Sequence, residues 1–430
     1  MKRIMTGNEA IARGAWEAGV HVAAAYPGTP STEILENISG YKDIYSEWAT
    51  NEKVALEVAA GASIAGGRAL AAMKHVGLNV AADPLFTLAY TGVNGGLIIV
   101  TADDPGLFSS QNEQDNRYYA LHAKLAMVEP SDSQECLDYI KEAFEISEKF
   151  DTPVLFRVTT RICHSKTLVE TDDKKEVAVR EYIKTPAKYI MAPAAAKRRK
   201  YQMEERIASM TEYSEKTPLN RVEKGCGKVG IITSGISYHH AKEVFGEEAS
   251  YLKLGFTWPL PEKMIRTFAA SVESLYVIEE NEPYLETFVK ALGIPCVGRE
   301  KLPWVDELTP EIIRQAFFPE STKQQNYAID AQVPPRPPVL CAGCTHRGFY
   351  YEIAKYKDIV VTGDIGCYTL GMVPPLSALD TVICMGASVS AGVGFHKAAE
   401  IARRKQKVFA VIGDSTFFHS GITGLIDAVV

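Results

Sequence analysis

Short apolar runs separated by helix-like stretches recur along the chain in three blocks. The first block holds VHVAAAYP, LIIVT and PVLFRV, the second KVGIIT and SLYVIEEN, and the third DIVVTGDIG, TVICMGAS and KVFAVIGDS. Runs of this length and character are typical of buried parallel strands. An alanine-rich segment at residues 52–73 is expected to be helical. The alternation predicts an α/β fold built from three doubly wound parallel-sheet domains.

Changes in composition give the expected domain boundaries. The proline run at residues 334–338 cannot continue a helix or a central strand, so it marks one of them. The polar stretch before KVGIIT marks another, and one long helix is expected within it, through residues 194–210. The predicted segments are a first domain at 1–169, a connector at 170–227, a second domain with a five-stranded sheet at 228–333, and a third domain at 334–430.

Composition excludes several classes of protein. The formal net charge of -7 disfavours a nucleic-acid partner, and the basic run at residues 197–200 is interpreted as part of a solvated helix. Neither a signal peptide nor a membrane-spanning segment is recognised. The 8 cysteines spread over 430 residues do not form a disulfide framework, which favours a reducing cytoplasm.

Two motifs near the start place polar groups at the beginnings of predicted helices. In YPGTPSTE, Thr29 is expected to cap a helix whose first residue is Pro30, and this loop could hold an anionic substrate at the sheet edge. In NEKVALE, Glu52 is a carboxylate at a helix start, a position that the helix dipole favours on structural grounds alone.

The third block has glycine turns at the ends of its apolar runs. Gly413, Asp414, Ser415 and Thr416 follow KVFAVI, and a carboxylate beside glycine at a strand end suits a Mg²⁺ that bridges phosphate oxygens. The turn at residues 385–388 feeds a helix in a similar way, which is a weaker signal.

Three cysteines form a loose group in the same block. Cys341 and Cys344 have C-x2-C spacing, and Cys367 follows GDIG. Such a set could bind zinc or an iron-sulfur cluster, act in redox chemistry, or be structural. Three thiolates are one short of a four-thiolate cluster.

Seven strings in order carry a family resemblance. The strings are YPGTPSTE, NEKVALEVAAGAS, SSQNEQDNR, LCAGCTHRGFYY, GDIGCYTLGMVPPL, MGAS and GDSTFFHSGITGL. Together they resemble the large subunit of indolepyruvate ferredoxin oxidoreductase, a thiamine-diphosphate enzyme, over essentially the whole chain. The resemblance implies a pyrimidine-binding domain at 1–169, a transketolase-C-like domain at 228–333, and the first part of a diphosphate-binding domain at 334–430. A truncation before the end of that domain is expected.

The resemblance also implies roles for single residues. Glu52 matches the carboxylate that hydrogen-bonds N1′ of the aminopyrimidine, and Asp414 matches the first Mg²⁺ ligand, although Ser415 stands where the broad motif has glycine. Thr29 matches a substrate-side threonine. Gly386 and Ala387 would lie near the cofactor. Cys341, Cys344 and Cys367 match three cluster ligands of related enzymes.

The activity implied is the oxidative decarboxylation of aryl pyruvates such as indolepyruvate to aryl-acetyl coenzyme A, with electrons passed to ferredoxin. The expected cofactors are thiamine diphosphate and Mg²⁺, with [4Fe-4S] clusters in the complete protein. The expected partners are a smaller beta subunit, ferredoxin, coenzyme A and further copies in an oligomer, with no membrane. The alternatives are a pyruvate or 2-oxoglutarate ferredoxin oxidoreductase, or a catalytically inert fragment.

Overall fold

The computed structural model describes residues 1–321, 334 and 336–430, which belong to two compact units separated in sequence by the stretch at 322–333. The predicted boundary between 333 and 334 therefore lies outside the described residues. Helices alternate with mainly parallel strands in the first unit, and the predicted α/β class is confirmed.

The first unit begins with a strand-helix alternation that covers residues 2–170. Its strands are β1 (Lys2–Thr6), β2 (Val22–Ala25), β3 (Tyr45–Trp48), β4 (Ala69–Lys74), β5 (Leu97–Asp103), β6 (Ala126–Val128), β7 (Val154–Thr159) and β8 (Lys166–Glu170). Its helices are α1 (Gly7–Glu17), α2 (Thr32–Ile38), α3 (Glu52–Ile64), α4 (His75–Val80), α5 (Ala82–Thr91), α6 (Arg117–Ala123), α7 (Ser133–Phe150) and α8 (Thr160–His164).

The remainder of the first unit covers the predicted connector and second domain. Its helices are α9 (Pro186–Tyr189), α10 (Pro193–Ser214), α11 (Ser237–Phe245), α12 (Glu262–Ala270), α13 (Tyr284–Ala291) and α14 (Pro310–Phe317). Its strands are β9 (Arg221–Glu223), β10 (Val229–Ser234), β11 (Ala249–Leu254), β12 (Phe256–Trp258) and β13 (Ser274–Ile278).

A seven-stranded sheet in the order β12-β6-β7-β5-β4-β2-β3 forms the centre of the first unit. All of its pairs are parallel except the edge pair of β12 with β6. Alternate residues of β5 enter different cores: Ile98 packs in one cluster and Ile99 in another. Helices therefore cover both faces, as a doubly wound sheet requires.

The alanine-rich segment 52–73 is not one helix, so that prediction is wrong. Helix α3 ends at Ile64, and Gly66 takes a φ of 107°, which ends the helix in a turn. The next alanines form β4, which is buried along its whole length and pairs with β2 and β5. Burial between two strands outweighs the helix propensity of alanine.

The second sheet has four strands in the order β13-β10-β11-β9, not the five predicted. Strand β12 follows β11 closely but pairs with β6 of the first sheet. Helix α10 confirms the long helix expected in the connector. Its basic run is not fully solvated, because Arg199 is buried and bonds the carbonyls of Tyr90 and Thr91.

Hydrogen bonds from buried arginine side chains connect the first sheet to the segment that follows β13. Arg157 on β7 donates to Asp103 at 2.7 Å and to Glu129 at 2.6 Å, and its remaining nitrogen donates to Asn281 at 2.9 Å. Arg117 at the start of α6 adds a bond to Glu279 at 2.6 Å. Moving the carboxyl edge of the sheet would break these pairs and leave buried charges unpaired, which is strongly destabilising. The pairs therefore hold this edge in place.

The second unit is smaller. A two-stranded parallel sheet joins β14 (Ile359–Thr362) to β15 (Lys407–Ala410), and TVICMGAS contributes a single bridge at Thr381 instead of the predicted strand. Its helices are α15 (Thr345–Ile353), α16 (Ala387–Ile401), α17 (Asp414–Thr416) and α18 (Ile422–Val429). Across the described part of the chain, no helix is long and apolar enough to cross a membrane.

Candidate functional site

The carboxyl edge of the seven-stranded sheet gathers the polar residues of the first unit. Strands β2, β3, β4, β5 and β7 run parallel, so the segments that follow them leave at one edge. This is the edge at which open α/β sheets bind ligands. At or just beyond the ends of these strands lie Thr29, Glu52, Lys74, Asp104 and Thr160.

Glu52 is the first residue of α3, and its position is set by local capping. Asn51 is the N-cap, and its side chain accepts a hydrogen bond from the Val54 amide at 2.9 Å. Glu52 is only 5% exposed. The sequence therefore placed the helix start correctly, and the structure adds that this carboxylate lies inside the protein.

Gly77 on α4 packs directly against the Glu52 side chain. A Cβ atom at Gly77 would lie 2.6 Å from both Cγ and Oε1 of Glu52. Carbon atoms make their best contacts at about 3.5–4.0 Å. The Glu52 side chain can therefore occupy this position only because Gly77 has no side chain.

The Thr29 loop differs from its prediction. Helix α2 begins at Thr32, and its N-cap Ser31 makes no side-chain capping bond, so Thr29 is not the cap and Pro30 is not the first helical residue. Two hydrogen bonds at Gly28 hold the loop instead. The Gly28 amide donates to Thr32 Oγ1 at 2.9 Å, and Ser31 Oγ donates to the Gly28 carbonyl at 3.0 Å. Thr29 remains exposed at the sheet edge.

A polar cluster that the sequence reasoning missed lies beside this loop. Lys74, the last residue of β4, donates from Nζ to the Ser109 carbonyl at 2.8 Å, and Ser109 Oγ donates to the Thr29 carbonyl at 3.4 Å. Asp104 accepts from Ser110 Oγ at 2.6 Å and from Thr160 Oγ1 at 2.7 Å. The signal for this cluster was a lysine ending an otherwise apolar strand.

Asp364 organises the loops of the second unit and was also missed. It is fully buried just after β14. Its Oδ1 accepts from the Gly386 amide at 2.8 Å and from the Ile365 amide at 2.9 Å, and its Oδ2 accepts from the Ser388 amide at 2.9 Å. The carboxylate thus joins the end of β14 to the start of α16. The Gly363-Asp364 pair repeats the Gly413-Asp414 pattern and could have revealed it.

The predicted residues of the glycine turns lie at the same edge of the small sheet. Gly386 has a φ of 86°, and a Cβ there would lie 2.6 Å from Ser420 Cβ. Gly413 leads into α17, whose first residue Asp414 is exposed, as is Ser415. Thr416 is buried and donates from Oγ1 to the Ile365 carbonyl at 3.2 Å. Because β14 and β15 are parallel neighbours, the structure brings these residues together with Asp364.

These residues fit a metal-bound diphosphate. Ser388 Oγ, beside Gly386 at the start of α16, is buried and has no hydrogen-bond partner among the described atoms. Gly386 permits the turn that places Ser388 at the start of α16, because its positive φ and the close approach of Ser420 exclude a side chain. The exposed Asp414 carboxylate is a hard oxygen ligand of the kind that Mg²⁺ prefers.

The three cysteines are not drawn together by the fold. Cys341 and Cys367 are exposed and Cys344 is half-buried, and no group of three or more His, Cys, Asp or Glu side chains in the described part of the chain could hold a metal ion. Cys344 Sγ lies 3.8 Å from Nδ1 of His346, whose ring stacks on Tyr368 at 4.9 Å between centroids. A cluster at these cysteines stays a prediction.

Known family models match parts of both units. A family model described as "Pyruvate flavodoxin/ferredoxin oxidoreductase, thiamine diP-bdg" matches residues 13–228. A second model, described as "Thiamine pyrophosphate enzyme, C-terminal TPP binding domain", matches residues 364–430. The first match contains Glu52, and the second begins at Asp364 and contains Asp414.

Named relatives are similar to all or to about two thirds of the chain. Indolepyruvate oxidoreductase subunit IorA of Archaeoglobus fulgidus is 43% identical over 100% of this chain and 73% of its own length. The protein of the same name from Methanothermobacter marburgensis is 41% identical over 99% of this chain and 72% of its own length. The 2-oxoglutarate synthase subunit KorA of the second organism is 26% identical over 64% of this chain and 87% of its own length.

A solved structure shares the fold. It is the 2-oxoglutarate:ferredoxin oxidoreductase from Magnetococcus marinus with 2-oxoglutarate, coenzyme A and succinyl-CoA bound. Its TM-score is 0.61 at 19% identity, and the match covers 73% of this chain and 64% of that chain.

Proposed function

The chain belongs to the family of the indolepyruvate oxidoreductase subunit IorA, and from this premise we propose that it oxidatively decarboxylates aryl pyruvates with thiamine diphosphate. Family membership makes it a 2-oxoacid ferredoxin oxidoreductase subunit. The proposed reaction converts an aryl pyruvate and coenzyme A to aryl-acetyl coenzyme A and CO₂, and it passes two electrons one at a time to ferredoxin.

The observation that carries this proposal is the buried Glu52 carboxylate. A carboxylate only 5% exposed at a helix start, packed against Gly77, is held in one place at the ligand-binding edge of the sheet. In the proposed role, Glu52 holds a proton at N1′ of the aminopyrimidine ring. When bound, thiamine diphosphate supplies the electron sink for the loss of CO₂.

The residues of the second unit are proposed to hold a diphosphate and its Mg²⁺. Asp414 would bind the Mg²⁺, while the unpaired Ser388 hydroxyl, two residues after Gly386, would donate to a diphosphate oxygen. Asp364 takes no direct part in this role. Its three backbone hydrogen bonds hold the Gly386 turn in the shape that a phosphate group needs.

Two exposed apolar residues support an aryl substrate. Leu107 is 47% exposed and Phe108 is 65% exposed, and they immediately precede Ser109, which contacts the Thr29 loop. An aromatic face beside the substrate loop suits an aryl side chain, because offset or edge-on ring pairs add about 0.5–1.5 kcal/mol beyond area burial. Pyruvate and 2-oxoglutarate offer no ring to such a surface.

The wider assembly is part of the proposal. The relatives are named as subunits, which supports a smaller partner subunit for this chain. Mg²⁺, [4Fe-4S] clusters in the complete protein, ferredoxin as electron acceptor, an oligomeric state and a cytoplasmic location are proposed from the family resemblance and from cysteine usage.

Steady-state kinetics of the assembled enzyme test the proposal. We expect kcat/KM to be higher for indolepyruvate than for pyruvate or 2-oxoglutarate. Phe108→Ala should lower kcat/KM for indolepyruvate about tenfold and leave that for pyruvate unchanged, since about 1.4 kcal/mol is a factor of ten. Tyr201→Ala, which removes an equally exposed ring on α10, is the control. A preference of the wild-type enzyme for pyruvate or 2-oxoglutarate would overturn the proposed substrate class.

A further inference from the structure

Lys74 is a buried lysine that forms no ion pair with a carboxylate of the described residues. It is 9% exposed, and its ammonium group donates to the Ser109 carbonyl at 2.8 Å and approaches Ser109 Oγ at 3.5 Å. Among the described residues, no carboxylate oxygen lies within 4.0 Å of its nitrogen. An ammonium group has three N–H donors, and one serine residue accounts for both of its bonds.

The nearest acidic group is already engaged. Asp104 Oδ2 accepts from the Ser109 amide at 2.9 Å and from Ser110 Oγ at 2.6 Å, and Oδ1 accepts from Thr160 Oγ1 at 2.7 Å. Burial disfavours the charged form of Asp104, but these hydrogen bonds outweigh burial and lower the pKa of its carboxyl group. Asp104 therefore stays charged and acts on Lys74 only at a distance.

Burial without a direct anion is unfavourable for Lys74. Loss of solvent lowers the pKa of its ammonium group, and the more distant Asp104 charge opposes this only in part. Buried charges in proteins are normally paired, because an unpaired one is strongly destabilising. A further anion beside Lys74 would stabilise its charged form.

The surroundings of Lys74 are those of the substrate site. Its Cβ lies 3.1 Å from the place a Cβ would take at Gly28, in the loop that carries Thr29. Helix α4 begins at the next residue and carries Gly77, which packs against Glu52. The ammonium group is thus linked through Ser109 to the Thr29 loop, and Lys74 directly precedes the helix that packs against Glu52.

We propose that Lys74 is the anion-binding residue of the substrate site and pairs with the carboxylate of the 2-oxo acid. This inference rests on the proposed function and deepens it. Pairing there would orient the carboxylate that leaves as CO₂. A coenzyme A phosphate offers the same anionic chemistry, so the experiment separates the two sources.

The test compares Lys74→Gln, Lys74→Met and Lys74→Arg in the enzyme assembled with its partner subunit. Glutamine can still donate to the Ser109 carbonyl but carries no charge, whereas arginine keeps the charge. We expect the KM for the 2-oxo acid to rise about 10- to 100-fold in the glutamine and methionine variants, as for the loss of a charged hydrogen bond. Arginine should recover part of that loss. The KM for coenzyme A should not change.

Binding of an uncharged analogue gives a second readout. The methyl ester of the aryl pyruvate, measured as a competitive inhibitor, should bind the wild type and the three variants with nearly equal affinity, because it lacks the carboxylate. Lys228→Met, at a lysine on the surface paired with Glu273, controls for loss of positive charge in general.

Three results would overturn the inference. The first is an unchanged KM for the 2-oxo acid in Lys74→Gln, and the second is an equal loss of acid and ester binding. The third is a rise in the KM for coenzyme A alone, which would assign the anion to a phosphate. If the wild type does not turn over aryl pyruvates, the proposed function fails separately, and the variants are then compared on whichever 2-oxo acid the enzyme uses.

Discussion

Replacing Gly77 with alanine should displace the Glu52 carboxylate without unfolding the protein. The new Cβ would lie 2.6 Å from Cγ and Oε1 of Glu52 and 2.9 Å from its Cδ. Since carbon contacts are comfortable at about 3.5–4.0 Å, the Glu52 side chain must move by roughly 1 Å. It can do so by rotation, so little strain passes to the backbone.

The expected effect is on catalysis and not on stability. A misplacement of about 1 Å at a reacting group can lower a rate roughly 100-fold. Alanine is favoured over glycine inside a helix by roughly 0.5–1 kcal/mol. This gain in stability offsets the cost of the remaining strain, so the thermal midpoint should change little. We therefore expect kcat for 2-oxo acid oxidation to fall about 100-fold while the midpoint of unfolding changes by only a few degrees.

A glycine on the neighbouring helix provides the control. A Cβ atom at Gly61 on α3 would meet no other atom within 4 Å, so Gly61→Ala should retain kcat. In a Glu52→Gln background, Gly77→Ala should add little further loss, because both changes act on one group. Wild-type kcat in Gly77→Ala, together with a large loss in Glu52→Gln, would refute the reasoning that Gly77 positions this carboxylate.

Two further predictions concern stability. Asp364→Asn replaces a carboxylate that accepts three backbone amides with a group that must present an N–H to at least one of them, so urea unfolding should show a loss of about 1–3 kcal/mol. Asp380→Asn, exposed and bonded to the Val361 amide, should lose less, and equal losses would contradict the role given to Asp364. Burial raises the pKa of Glu280 to about 7, partly opposed by the Arg157 charge and reinforced by Glu307. Between its ordinary pKa of about 4.3 and 7, the folded state then holds a proton that the unfolded state has released, so this group's contribution falls as pH rises through that window. Wild-type stability should therefore decline relative to Glu280→Gln from about pH 5 to about pH 8, and parallel pH profiles would rule this out.

The sequence predicted the residues that follow strands better than it predicted the strands themselves. Glu52 could be placed at a helix start because Asn51 is a strong N-cap, a signal that depends on a few adjacent residues. Strand β4 was missed because an alanine run has helix propensity, and only its neighbours β2 and β5 make it a strand. Strand β12 was not predicted for a similar reason, since its partner β6 is more than a hundred residues away.

The candidate site shows the same division. Asp414 and the Gly386 turn were predicted from local glycine patterns, whereas Asp364 and Lys74 were not predicted. Asp364 accepts hydrogen bonds from amides 22 and 24 residues further along the chain. Lys74 donates to Ser109, which is 35 residues away. Contacts over such separations depend on the sheet order, which local patterns do not specify.

A structure of the assembled enzyme with thiamine diphosphate and Mg²⁺ tests the central claim most directly. The account predicts the aminopyrimidine N1′ within hydrogen-bond distance, about 2.6–3.2 Å, of a Glu52 carboxylate oxygen. It also predicts an Asp414 oxygen about 2.0–2.1 Å from the magnesium ion. A pyrimidine ring bound away from Glu52, or a metal without Asp414 among its ligands, would contradict it.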